Sequence, residues 1–185
     1  MHHPQSIAVT GLKHVGKSTL GHALSVRLGL PFLDLDDLLV RRAQYENILP
    51  PGHTPEPPIR TVFRALGATR FGEWEAECVR EIPSTVSGSA VVLATGGGVC
   101  DHPATMAVLS TNYRMLYLHN DPLVLYDRSV RGGVPAFLDP ERPREHFLEI
   151  AARRDARYRE HADLVVDITG LHPDEALARI MEQVR

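Results

Sequence analysis

The sequence predicts a three-layer α/β fold around a five-stranded parallel sheet. Two observations carry this: short β-branched apolar runs alternate with longer helix-like segments, and several of those segments open on Asp-Pro or His-Pro. The first run is SIAVT (6–10), and behind it residues 17–28 place Leu20, Leu24 and Leu28 at helical spacing. PFLDL (31–35) is a second short strand leading into a helix over 36–44, and a long helical segment follows over about 59–82. AVVLAT (90–95) is strongly β-branched, so it reads as a buried strand. A helix over 103–109, the strand RMLYLH (114–119), helices over 122–130 and 143–160, the strand DLVVDI (163–168) and a helix over 173–184 complete the order. Proline at a first helical position loses no hydrogen bond, so Pro103, Pro122, Pro143 and Pro173 mark starts. Apolar strands joined by helices imply a sheet covered on both faces, with ligands at the carboxyl ends of the strands.

Whole-chain properties restrict the function classes. With 185 residues, 43% of them hydrophobic, the chain is expected to form one domain over 1–185 with an adequate core. A net charge of −3 offers no basic field for nucleic acid, and no stretch approaches the ~20 apolar residues of a membrane span. MHHPQSIAVT lacks the charged-then-apolar pattern of a leader. The expectation is a cytoplasmic monomer whose partners are small molecules, not nucleic acid or membrane. Cys78 and Cys100 match no metal or redox spacing, so neither zinc nor a disulfide is expected.

Residues 11–19 read GLKHVGKST and fit G-x-x-x-x-G-K-[ST], whose backbone amides and lysine cradle nucleotide phosphates. The context is the required one, strand before and helix after, and the helix N-terminus adds partial positive charge. Lys13 and Lys17 are the chain's only lysines, against eighteen arginines. A compact charge on a flexible stem has been kept where phosphate binds.

Three polar clusters fall at strand ends. In FLDLDD, Asp34 and Asp36 leave the second strand on alternate positions, which suits a metal-water ligand and an acceptor for a hydroxyl proton, while Asp37 is expected to cap the following helix. ATGGGVC puts three glycines directly after a central strand, where backbone must approach a ligand closely. YDRSVRGGVPAFLDPERPRE (126–145) combines a Gly132-Gly133 hinge with Arg128, Arg131, Arg142 and Arg144, and reads as a lid over about 128–144.

Taken together, G-x-x-x-x-G-K-S-T, LGLPFLDLD, I-x-x-x-F with Phe63, VLATGGG, the lid, R-x-x-x-Y at Arg154 to Tyr158 and ADLVVD resemble the shikimate kinase family from Ile7 to about Ile180. The resemblance implies a P-loop kinase fold with a helical substrate-binding subdomain over about 36–82, and ATP and Mg2+ as cofactors. It implies that Lys13, His14, Val15, Gly16, Lys17, Ser18, Thr19 and Arg128 bind nucleotide, and that Lys17 and Asp36 are catalytic. Ser18 and Asp34 would hold the metal. Asp36, Gly97, Gly98 and Arg154 would bind a hydroxylated acid such as shikimate, phosphorylated at its 3-hydroxyl, and the loop from Thr169 to Pro173 would border adenine.

Two departures stand out. The family phrase G-E-x-x-F-R-x-x-E appears here as GATRFGEWE, with Gly72 at the arginine position, and the lid phrase R-P-L-L appears as Val134-Pro135-Ala136-Phe137. Arg70 and Arg131 are the candidates to compensate. QYENILPPGHTPEPP (44–58), with five prolines, is also longer than the family's usual connection. An ATP-dependent kinase of shikimate or of another hydroxylated small acid is therefore the leading expectation. A nucleotide-binding paralogue without kinase activity is the alternative, against which the retention of Asp36 argues.

Overall fold

The computed structural model describes residues 5–49, 56–86, 88–135 and 137–184. Its five strands are β1 (Ile7–Thr10), β2 (Phe32–Asp34), β3 (Val92–Ala94), β4 (Arg114–His119) and β5 (Leu164–Asp167). They pair in parallel in the order β2-β3-β1-β4-β5. Ile7 of β1 lies opposite Val92 of β3 on one side and Arg114 of β4 on the other. Position in the sheet explains the composition of each strand. β1 and β3 are buried throughout, whereas the edge strands β2 and β5 are largely half-buried.

The helices are α1 (Lys17–Leu28), α2 (Leu35–Tyr45), α3 (Pro58–Thr85), α4 (Pro103–Asn112), α5 (Pro122–Ser129), α6 (Pro143–His161) and α7 (Pro173–Val184). Leu20 and Leu24 of α1 are buried against the sheet, and Gly29, in the left-handed region at φ 66°, ends that helix. Proline opens each of α3 to α7, and a 3₁₀ turn (Val99–Asp101) precedes α4. That turn was not apparent from the sequence.

Two elements differ from expectation. The segment read as one helix over 59–82 bends at Gly67, whose φ of 72° and ψ of 166° are not helical. A side chain there would be strained although nothing lies within 4 Å of it, so glycine is required by backbone conformation alone. The half of α3 beyond the bend is locked to α2: the Arg42 guanidinium lies 4.5 Å from the Trp74 ring centroid and 2.7 Å from Glu77, and Trp74 is fully buried. The second difference concerns the cap of α2. Asp34, not Asp37, accepts the capping hydrogen bond, from the Asp36 amide at 3.0 Å, because β2 ends one residue earlier than expected. Most of the proline-rich segment, residues 50–55, lies outside the described residues.

Candidate active site

The carboxyl ends of β1, β2 and β3 open onto a cleft of about 970 Å³ walled by the loop before α1, the first turn of α2, both halves of α3, the glycine loop after β3 and α6. Lys13, His14, Gly16, Lys17, Ser18, Thr19, Asp34, Asp36, Gly97, Gly98 and Arg154, all singled out from the sequence, line it. Val15 is buried beneath the loop and anchors it. Arg128 reaches the loop from α5 and donates to the His14 carbonyl oxygen at 3.0 Å. His14 itself has φ of 65°, an uncommon conformation for a non-glycine residue, held by the surrounding loop.

Lys17 is only 8% exposed, and its Nζ donates to the Leu12 carbonyl oxygen at 3.0 Å. Burial lowers its pKa to about 8, against the pull of Asp36 and Asp34. Asp36 moves the other way. Burial first, then the neighbouring Asp34 charge, raises it to about 6 despite Lys17. Its proton affinity therefore lies near neutrality, as a general base requires. Ser18 Oγ donates to Asp34 Oδ2 at 2.6 Å, so a hydroxyl and a carboxylate oxygen are already gathered at the N-terminus of α1. Among the described residues no cluster of three or more His, Cys, Asp or Glu forms a metal cage. One carboxylate, one hydroxyl, water and phosphate oxygens are the donors that Mg2+ ordinarily takes.

The glycine loop is tied to this cradle. Thr95 donates to the Val9 carbonyl oxygen through both its amide, at 3.1 Å, and its Oγ1, at 3.3 Å. A Cβ on Gly97 would stand 2.8 Å from the Lys13 backbone nitrogen, so the two loops touch backbone to backbone. Across the cleft, Arg154 donates to the Gly97 carbonyl oxygen at 3.1 Å and pairs with Asp101 at 2.8 Å. Arg157 holds the other Asp101 oxygen at 2.6 Å.

Neither compensating arginine is where the sequence suggested. Arg70 faces outward and pairs with Glu73 at 2.8 Å and Glu77 at 3.5 Å, while Arg131 is exposed and absent from the cleft wall. Helical spacing explains Arg70: two residues from Gly72 is the opposite face of α3. The further cations that line the cleft are Arg60 and Arg64, about two turns and one turn before the bend. Glu75 and His102 also line it, joined by a short hydrogen bond between Glu75 Oε2 and His102 Nδ1. These four were missed, and the pair joins residues 27 apart, beyond the reach of any local pattern.

Comparison with known proteins decides the family. The shikimate kinase sequence model matches residues 13–185. The chain belongs to the shikimate kinase family. The family member from Dechloromonas aromatica (strain RCB) is 33% identical over 165 residues, covering 89% of this chain and 82% of that one. The shikimate kinase of Enterococcus faecalis (strain ATCC 700802 / V583) is 28% identical over 184 residues, covering 98% and 99%. In three dimensions the fold matches a shikimate kinase from Acinetobacter baumannii in complex with shikimate at a TM-score of 0.77 and 24% identity, over 97% of this chain and 92% of that one. As a shikimate kinase family member the chain is an ATP-dependent kinase that phosphorylates a hydroxyl group.

Proposed function

We propose that this chain transfers the γ-phosphoryl group of ATP to the 3-hydroxyl of shikimate. The observation that carries the reading is the convergence of Lys17, Asp36 and the Ser18–Asp34 pair in one cleft with Arg154 and the glycine loop. Lys13 to Thr19 and Arg128 hold the nucleotide, with Lys17 set against the transferring group. Ser18 and Asp34 fit Mg2+, which when bound offsets charge on the β- and γ-phosphates. Asp36 accepts the proton of the acceptor hydroxyl as its oxygen bonds to phosphorus and the bond from phosphorus to the ADP oxygen breaks. Arg154 pairs with the acceptor carboxylate, and Gly97 and Gly98 present backbone to its ring. Residues 36–82 form the acceptor subdomain and 128–144 a lid, whose Phe137 already lines the cleft.

One observation favours a second acceptor: the Asp101 carboxylate already occupies Arg154, which weakens its hold on a carboxylate ligand. The test is ADP release measured with shikimate and with related polyhydroxylated acids, with the product mass determined. Shikimate-dependent ADP formation and a phosphorylated product are expected. Activity with another acid and none with shikimate would transfer the assignment to that acid.

A further inference from the structure

We propose that His102, as an imidazolium anchored by Glu75, is the second cation that recognises the acceptor's carboxylate, which makes acceptor binding dependent on pH. This rests on the acceptor being a hydroxylated carboxylic acid. Glu75 is 1% exposed, and a buried carboxylate needs a charged or well-bonded partner. His102 supplies it through Nδ1, leaving Nε2 without a partner among the described residues, and its ring lines the cleft as Arg154 does. The space it fills exists because residue 72 has no side chain. A Cβ on Gly72 would come within 2.9 Å of the ring.

The groups facing the imidazole come from three directions. Glu75 on α3 raises its pKa most, burial opposes, Asp101 beside it raises it further, and Arg154 on α6 lowers it. Phe71 covers it at 6.1 Å between centroids. The raised value keeps the positive charge to a higher pH than for an ordinary histidine. That charge is lost as pH rises through the raised pKa, and carboxylate affinity falls with it.

The experiment compares shikimate with its uncharged methyl ester across pH 6 to 9, reading KM for acceptor and for ATP separately. For the wild type, KM for shikimate is expected to rise with pH while KM for the ester, which shares every other titrating group of the cleft, does not follow it. His102→Gln, which keeps a hydrogen bond to Glu75 but no charge, should raise KM for shikimate about ten- to hundredfold at the acid end and abolish the pH dependence. Glu75→Gln should move the rise to lower pH, because the imidazole loses the partner that holds its proton. Gly72→Arg alone should be damaging, whereas Gly72→Arg with His102→Ala should restore shikimate binding without pH dependence. Equal losses for shikimate and ester in His102→Gln, or a wild-type KM for shikimate that ignores pH, would overturn the inference while leaving the kinase reading standing. A wild type that phosphorylates neither compound overturns the acceptor assignment and this inference with it.

Discussion

At the scale of single residues, the cleft holds two ionised groups in states that folding alone disfavours. Lys17 is buried with its pKa lowered to about 8, and Asp36 has its pKa raised to about 6. A group raised in the folded state stabilises the protein below its unfolded value and loses that contribution as pH climbs through the folded one, so ionised Asp36 is a cost that appears between about pH 4 and pH 6. Lys17 is the mirror case, its stability contribution present at high pH and lost as pH falls through about 8. Asp36→Asn should therefore melt at a higher temperature than the wild type at pH 7, with the difference shrinking as the pH is lowered toward 4, while kcat falls on the order of 10²–10⁴-fold. Calorimetry across pH and a coupled ADP assay check the two halves; a midpoint below the wild type at pH 7 would contradict the burial argument. Wild-type kcat should also fall on acidification through about pH 6 as Asp36 takes up its proton. Lys17→Met should lower kcat on the order of 10²–10³-fold or more without lowering the melting temperature, since a buried cation is exchanged for a buried apolar chain.

At the scale of elements, the bend in α3 divides the wall of the cleft that is proposed to hold the acceptor. Ile59, Arg60 and Phe63 precede it, while Phe71 and Glu75 follow, and the second half is clamped to α2 through Trp74 and Arg42. Gly67→Ala should cost about 1–3 kcal/mol, seen as a fall of roughly 3–10 °C in melting temperature, and should raise KM for the acceptor more than for ATP. Equal KM values with normal stability would show that the bend is not required. The bend marks where the sequence ceased to be legible. Among the described residues, the strands follow from apolar runs and the helices from helical spacing and, for α3 to α7, proline starts, which are local signals. Gly67 sits inside an otherwise continuous helical pattern, and nothing local separates a tolerated helical glycine from a bend. The same limit applies at the site. Lys17, Asp34 and Asp36 announce themselves by position on a glycine loop and a strand end, but the Glu75–His102 pair arises only when α3 folds against the turn after β3. The burial of Lys17 was equally hidden, because a loop lysine is ordinarily exposed.

At the scale of the whole molecule, the sheet order sets β1 between β3 and β4, so the phosphate loop leaves from the centre and the glycine loop from the adjacent strand. Among the described residues no helix is long and apolar enough to cross a membrane. A nonhydrolysable ATP analogue at about a hundred times its Kd should stabilise the chain by about 2.7 kcal/mol, a rise of roughly 5–10 °C in melting temperature. Scanning calorimetry with and without the analogue checks this, and no rise would argue against nucleotide binding. The contact between Gly97 and Lys13 has a thermodynamic corollary for a two-substrate enzyme. With nucleotide at the Lys13 loop and acceptor at the glycine loop, as proposed above, whichever ligand arrives first would restrict both loops, since neither moves far without displacing the other's backbone. The second ligand then meets a partner whose motion is already restricted, and its own ordering cost is smaller. Such cooperation is reciprocal by necessity: the factor by which nucleotide tightens acceptor binding equals the factor by which acceptor tightens nucleotide binding. It would not depend on the proposed lid, because its conduit is one backbone resting on another beyond the carboxyl ends of β1 and β3.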